Sequence, residues 1–336
     1  MKDVAEHAGV TLSTVSYVLN DSGPVSESRR ARILDAIRVL KYTPNESARR
    51  LRKKAASTIG LVLPDLTNQF FALVAEGVEL AAAEGEALVM LCAPEAINRP
   101  IQHYTRLLRG QSLDGIIYLP GGAGMALSLS LELAEAGPVV MVDERVRGFD
   151  VPTVVADSRS GAREVATHVL AQGHRRLAII GGPQALWTSE QRLSGYREAI
   201  AAHGLHPDAV PVLEGNHREG SGAAIAARLL AAPPDERPTA LLCANDLMAF
   251  GVLDYCQSAG LRVPQDVSVT GFDDIPVARL TSPGLTTVRQ PAHAMGYEAA
   301  KLLFELIRTP ASAPPPQPPV FTTEVQVRGS VGPAPG

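Results

Sequence analysis

Aromatic residues are scarce in this 336-residue chain: they make up 4% of it, and Trp187 is the only tryptophan. Cysteine is scarcer still. Cys92, Cys243 and Cys256 are odd in number and widely spaced, which excludes a disulfide framework or a cysteine-based zinc site and suits a reducing compartment. No apolar run reaches membrane length. Met1 to His7 form no apolar signal region, so secretion and membrane insertion are not expected and a cytosolic location is.

Enzyme signatures are missing too. A dinucleotide-binding fold calls for Gly-x-Gly-x-x-Gly after its first strand, whereas Ile59–Leu63 is followed by Pro64-Asp65-Leu66-Thr67-Asn68. Gly122-Ala123-Gly124 lacks the third glycine. There is no Gly-x-Ser-x-Gly elbow and no Gly-Lys phosphate loop. His203 and His206 do not complete a metal site. Accordingly no catalytic residue, metal or cofactor is expected.

What the chain does have is core-forming material, 46% hydrophobic residues, and a length that fits two or three domains. Its net charge of −4 hides an asymmetry. Residues 1–54 hold 11 Lys/Arg against 6 Asp/Glu, so a basic head precedes an acidic body. Phosphate contact is mostly electrostatic, so such a head is what a DNA-binding end looks like, although a solvated helix face gives the same count.

Residues 1–42 read as helices only. Val4, Ala5 and Ala8 recur at helical spacing before Gly9 interrupts them. A second helix spans about Leu12 to Leu19 with Thr11 as N-cap candidate. A third begins near Ser26 with the stripe Ile33, Ala36, Ile37 and Leu40. Ala5, Gly9 and Val15 stand at helix-turn-helix spacing: a small residue for close approach, a glycine for the turn, an apolar anchor. Leu12, Ser13, Ser16 and Tyr17 are then free to face outward, where a second helix touches base edges. A helical protein–protein hairpin is the competing reading. Pro44 and Asn45 open a short helical stretch, Glu46 to Lys53, in a linker.

From Ile59 the pattern changes to short apolar runs alternating with helical ones. Strands are expected at 59–63, 87–92, 115–119, 139–142, 153–156, 177–180, 209–213, 240–243 and 267–270. Helices are expected at 69–84, 126–136, 160–172, 190–202, 219–231, 246–259 and 293–308. This alternation is the signature of parallel sheets covered on both faces. Nine strands exceed one comfortable sheet, so two lobes are expected, with a cleft at the strands' carboxyl ends. A last strand is expected at Phe321–Val327, and the Gly/Pro-rich end at 329–336 is expected to be disordered.

The head, Asp3 to Asn20, with Val25-Ser26-Glu27, Leu40 to Asn45 and Ala48-Arg49-Arg50-Leu51, resembles the LacI/GalR family of repressors. The likeness runs on through Gly271-Phe272-Asp273-Asp274 and Thr286 to Gln290, ending near Val327. It implies a small all-α helix-turn-helix head at 1–44, a hinge helix and linker at 45–57 and a two-lobed α/β effector domain at 58–328. Lobe 1 would take about 58–155 and 288–312, and lobe 2 about 156–287 and 318–328. It implies DNA contacts from Thr11, Leu12, Ser13, Ser16 and Tyr17. It also implies a DNA-binding hinge, Asn45 to Arg52, whose Leu51 wedges into the minor groove while Arg49, Arg50 and Arg52 meet phosphates. Tyr17 stands where relatives carry an arginine, a histidine or another polar reader, so a different operator is implied. The chain starts two or three residues later than most relatives, which implies either a first helix without its usual N-cap or a misassigned start codon.

Carried over by position, Phe70, Phe71, Tyr118, Asp143, Arg192, His217, Asn245, Asp273 and Gln290 look like effector contacts. Each has a plainer explanation: Asn68 and Asn245 as helix caps, Asp273 as a turn former, Phe70 and Phe71 as core. Aromatic faces with carboxylate, guanidinium and amide groups suit a carbohydrate. Glu144 departs from the family, which commonly has arginine there; facing the pocket, it would disfavour acidic sugars and sugar phosphates, and pointing away it would leave Arg145 as the nearby cation. The activity that the resemblance implies is repression at a pseudo-palindromic operator by a homodimer, relieved by a small molecule, a neutral sugar before other classes. The opposite sign, a corepressor, also occurs in the family. No heptads follow Gly329, so a dimer is expected rather than a tetramer. A transport-type solute-binding protein would share the two lobes but not the basic head.

Overall fold

The computed structural model describes residues 2–20, 23–40, 57–92, 102–120, 127–309 and 316–335. It divides into two compact units, Met1–Ala56 and Ser57–Gly336. In the first, α1 (Lys2–Ala8), α2 (Leu12–Asn20) and α3 (Glu27–Val39) enclose a small core. Val4, Val15, Ile33 and Ala36 are fully buried there. Gly9 makes the turn with φ +61°, a left-handed conformation that costs a side-chain-bearing residue about 1–2 kcal/mol. Val10 N donates to Ala5 O, 3.0 Å, closing α1. Thr11 caps α2 as expected, its hydroxyl accepting from Thr14 N at 3.3 Å. Ser26 stands at the N-cap of α3 without a side-chain bond. Leu40, expected on the apolar stripe, lies beyond the end of α3 and is exposed. The hinge stretch with Asn45, Arg49 and Leu51 lies outside the described residues.

The second unit begins with β1 (Thr58–Val62), α4 (Gln69–Glu84), β2 (Leu88–Cys92), α5 (Gln102–Arg109), β3 (Gly115–Tyr118), α6 (Leu127–Ala136), β4 (Val139–Val142) and β5 (Thr153–Ala156). It continues with α7 (Ser158–Ala171), β6 (Leu177–Gly181), α8 (Trp187–Ala202), β7 (Val212–Glu214), α9 (Glu219–Leu230), β8 (Ala240–Cys243), α10 (Asp246–Ser258) and β9 (Ser268–Thr270). β10 (Thr287–Arg289), α11 (Ala292–Arg308), β11 (Val320–Phe321) and β12 (Glu324–Gln326) complete it. Among the described residues, lobe 1 has a six-stranded sheet in the order β11-β5-β4-β3-β1-β2. Lobe 2 has a four-stranded sheet, β7-β6-β8-β9. All pairings in both are parallel. β10 and β12 pair antiparallel beside the crossings between lobes.

Parallel strands buried on both faces read as unbroken apolar runs: Gly115–Tyr118, Val139–Val142 and Ala240–Cys243 are buried at every position. The differences from expectation fall where that signal is weak. Residues 207–209 form a 3-10 turn before Pro211, so β7 starts only at Val212. The strand expected at 321–327 is two: Val320–Phe321 extends the lobe 1 sheet beside β5, and Glu324–Gln326 pairs with β10. Lobe 2 therefore regains the chain near residue 323, not 318. α5 lies outside the expected helices because it is short and polar apart from Tyr104 and two leucines.

The end of the chain corrects the expectation of a disordered tail. Ser330 is fully buried; its hydroxyl donates to Val269 O at 2.6 Å and accepts from Thr286 N at 2.8 Å. Val269 N donates to Ser330 O at 2.9 Å, and Ala334 N to Gln172 O at 2.9 Å. Gly/Pro composition carries no apolar period, but the backbone still meets the open groups of β9, which would otherwise be buried unpaired.

Candidate functional site

On the head, one face of α2 is open. Thr11, Leu12, Ser13 and Tyr17 are exposed and Ser16 partly so, while Val15 and Val18 are buried behind them. Leu12 and Tyr17 are 49% and 46% exposed on this face. Gly23 permits the Tyr17 placement: a Cβ there would lie 2.9 Å from the ring.

In the body, a cavity of about 240 Å³ lies between the lobes at the strands' carboxyl ends. Lobe 1 contributes Phe70 and Phe71 after β1 and Asp143 and Glu144 after β4; lobe 2 contributes Arg192 on α8, His217 after β7, Asn245 after β8 and Asp273 after β9. Seven of the nine residues singled out in the sequence therefore meet there. Phe70 is also core, 2% exposed, with Phe71 edge-on at 5.5 Å. Asn245 is both cap and wall: its Oδ1 accepts from Met248 N at 3.0 Å while Nδ2 donates to His217 O at 3.0 Å. Asn68 caps α4 through Phe70 N.

Two residues fall elsewhere. Tyr118 does not line the cavity but packs with Val62, Tyr104 and Met141 on the other face of the sheet. Strand side chains alternate: Ile116 and Tyr118 point one way, Ile117 and Leu119 the other, and Leu119 is the one that reaches the cavity. Gln290 acts from behind, its Nε2 donating to Asp273 Oδ1 at 2.8 Å.

Arg192 organises the lobe 2 wall. It is 3% exposed, its guanidinium lies 4.0 Å from the centre of the Phe272 ring, and Nη1 donates to Ala244 O at 2.6 Å. Nη2 stands 3.5 Å from Asp273 Oδ1. Several polar atoms here are buried and unpartnered: Asp143 Oδ1, Arg192 Nε, His217 Nε2 and Gln290 Oε1. An unmet buried polar group costs about 1–3 kcal/mol, and native folds keep few of them. Asp143, His217 and Asp273 also hold φ of +70°, +63° and +113°. Such backbone costs about 1–3 kcal/mol per residue and persists where the surrounding structure enforces it.

Burial governs protonation here. It pushes the Asp273 carboxyl up to about 7 against the pull of Arg192, with Asp143 adding to the rise. Asp143 is also raised by burial and held back by Arg192. His217 falls to about 3 through burial and the Arg192 charge, so its ring is neutral. Glu144 rises to about 7, from burial first and the Asp143 charge second.

Glu144 joins the lobes. Its carboxylate accepts from Thr188 N at 3.2 Å and from the Thr188 hydroxyl. Leu186, the N-cap of α8, has no side chain to do this, so a lobe 1 carboxylate caps a lobe 2 helix at its positive end. Asp65 and Arg218 pair across the opposite rim at 3.3 Å. Neither Thr188 nor Arg218 carries a sequence signal, because their roles depend on what the other lobe brings.

A pH dependence follows. A carboxyl raised from 4.5 to about 7 on folding makes the folded state bind more protons than the unfolded chain between those values. Stability therefore rises as pH falls through 7 and is lost above it. The body should melt higher at pH 5.5 than at pH 8, with the lowered His217 offsetting part of the gain, and Glu144→Gln should flatten that slope, leaving the parts contributed by Asp143, Asp246 and Asp273. Thermal denaturation across this range checks it; an undiminished slope in the variant removes Glu144 as the cause.

Residues 1–45 match the family described as bacterial regulatory proteins, lacI family, and residues 166–331 match the periplasmic binding protein-like domain. The HTH-type transcriptional repressor PurR of Vibrio cholerae (strain M66-2) is 32% identical over 308 residues, which cover 92% of this chain and 91% of PurR. The structure of the transcriptional regulator CelR in complex with cellobiose is 33% identical, covers 98% of both chains and superposes with a TM-score of 0.73. The lac repressor dimer bound to operator and the anti-inducer ONPF is 25% identical, again over 98% of both chains, with a TM-score of 0.81. With a helix-turn-helix head, a two-lobed body and relatives that are repressors rather than enzymes, this chain belongs to the LacI family of transcriptional repressors.

Proposed function

We propose that this repressor binds a pseudo-palindromic operator as a homodimer and releases it when a neutral carbohydrate enters the cleft. The observation that carries the ligand reading is the convergence of unpartnered buried donors and acceptors, from both lobes, on one cavity walled by Phe70 and Phe71. Hydroxyls set around a ring satisfy such atoms in pairs: an ionised carboxylate accepts from neighbouring hydroxyls, and a guanidinium donates to two oxygens. Glu144 lines the same cavity and disfavours an anionic ligand by repulsion. The cellobiose complex of the CelR relative supports the class.

Thr11, Leu12, Ser13, Ser16 and Tyr17 read base edges in this reading, with Asn45, Arg49 and Leu51 of the hinge on the backbone and in the minor groove. Dimerisation uses the edge strand β2, where Leu88, Met90 and Leu91 are exposed. A ligand shifts the equilibrium only by its preference for one arrangement of the lobes. DNA and protein meet in the cytoplasm.

The test is to select duplexes from a random pool with the full chain, then titrate the selected operator complex with neutral sugars, sugar acids, sugar phosphates and purine nucleosides in a band-shift assay. A neutral sugar that weakens the complex supports the proposal. Tightening by the sugar makes it a corepressor, and a response to nucleosides alone overturns the carbohydrate reading.

A further inference from the structure

The larger cavity between the lobes is a second one. A chamber of about 770 Å³ adjoins the cavity described above, and Pro120, Glu144 and Leu186 belong to the walls of both. Its far wall holds Trp187, the only tryptophan of the chain. Ser189 stands beside it, 7% exposed, with a hydroxyl that has no hydrogen-bond partner.

Gly182 lines the outer chamber and backs onto the inner one. A Cβ on this residue would lie 2.5 Å from Ser189 Oγ and 2.1 Å from His217 Nε2. Ser189 lines the outer chamber and His217 the inner. Gly182 therefore packs tightly against both side chains, and an unmet polar atom stands in the wall of each chamber.

The chemistry of the outer chamber is neutral and flat. Its acids and bases balance: Glu144, Glu190 and Glu214 against Arg145, Arg147 and Arg197. Arg147 is taken by Glu190 at 2.8 Å, and Glu144 by Thr188. Arg145 lies over the Trp187 ring, 5.3 Å from its centre, and is exposed. No concentrated positive charge waits for a phosphate. An indole face instead suits the C–H face of a sugar ring, with a hydroxyl and a guanidinium at its edge to meet ring hydroxyls.

We propose that the outer chamber is a second ring subsite built on Trp187 and Ser189, so that the effector is a two-ring neutral glycoside, a disaccharide rather than a monosaccharide. This rests on the carbohydrate reading of the inner cavity. The inner chamber holds the first ring among Asp143, Arg192 and Asp273. The glycosidic link passes along Pro120 and Leu186, which line both chambers, and the second ring lies against the indole after Arg145 swings aside.

Because Trp187 is the sole tryptophan, intrinsic fluorescence reports on the outer chamber alone. The full chain is titrated with glucose, galactose, xylose, cellobiose, maltose and lactose, by calorimetry and by tryptophan emission. At least one disaccharide is expected to bind about tenfold or more tighter than every monosaccharide and to change the emission, which monosaccharides leave unaltered. Trp187→Ala should remove that tenfold advantage and keep monosaccharide affinity, and Trp187→Phe, which restores a flat ring, should recover much of it. Monosaccharides binding as tightly as any disaccharide, or equal loss of both in Trp187→Ala, overturns the subsite and leaves the carbohydrate reading intact. Binding of no sugar of either size removes the carbohydrate reading and the subsite with it.

Discussion

Arg192→Ala is expected to give a protein that still binds operator but no longer responds to its effector. The guanidinium is the one cation buried in the cleft wall among the described residues. It reaches Asp273, the Ala244 carbonyl and the Phe272 ring at once. Truncating one member of a buried, hydrogen-bonded charge set costs about 2–5 kcal/mol in binding, which is a loss of about thirtyfold or more in affinity. Removing the charge also lets Asp143 and Asp273, already raised by burial, hold their protons to higher pH. They then present donors where the ligand needs acceptors. Calorimetric titration beside band shifts measures both halves. A normal response in the variant would move the effector site elsewhere, and loss of operator binding would show that Arg192 supports the fold instead.

Gly222→Val should strongly destabilise the body of the protein. α9 and α10 cross backbone to backbone. A Cβ at Gly222 would lie 2.0 Å from Met248 O, and one at Gly251 would lie 1.9 Å from Glu219 O. Lobe 1 repeats the device between α4 and α11, where a Cβ at Gly77 would lie 1.9 Å from His293 O and one at Gly296 2.0 Å from Val74 O. These obstacles are main-chain atoms held by helical hydrogen bonds, so no rotamer change relieves them. The helices must part, opening the core of Ile225, Ala226, Met248 and Val252. Overpacking costs about 1–3 kcal/mol even where side chains yield, and a backbone clash should reach the upper end or beyond. Gly220→Ala, two residues away on the same helix with nothing within 4 Å, should be neutral or slightly stabilising. Urea unfolding of the pair checks the prediction; similar midpoints would mean that the crossing can open at little cost.

The two glycine crossings leave no mark in the sequence, for the same reason that Tyr118 is expected in the cleft and found outside it. Each depends on which face of an element meets which neighbour. Helical and strand periods announce that Ile116 to Leu119 are buried, but a one-residue step decides between the cleft side and the core side. Glu144 shows the same limit. Its departure from the family pattern is visible in the sequence, while its bond to Thr188 requires the second lobe to be in position. The tail differs in kind: Ser330 lies in a segment without apolar period, and its burial comes from hydrogen bonds to β9 and Thr286 that composition does not encode.

By itself the amino-acid sequence determined the family, the order of strands and helices, the helix-turn-helix head and seven residues of the cleft wall. The elements and the head follow from local spacing, apolar periods of two and of 3.6 and turn glycines, while the family and the cleft-wall residues follow from the resemblance of its motifs, with polar residues just after strands in agreement. Only the tertiary structure decided which of the polar residues remain without partners, how burial sets their protonation and where a second chamber opens beside Trp187. Each of these depends on distances between atoms far apart in the chain, which close packing of the two lobes alone brings together.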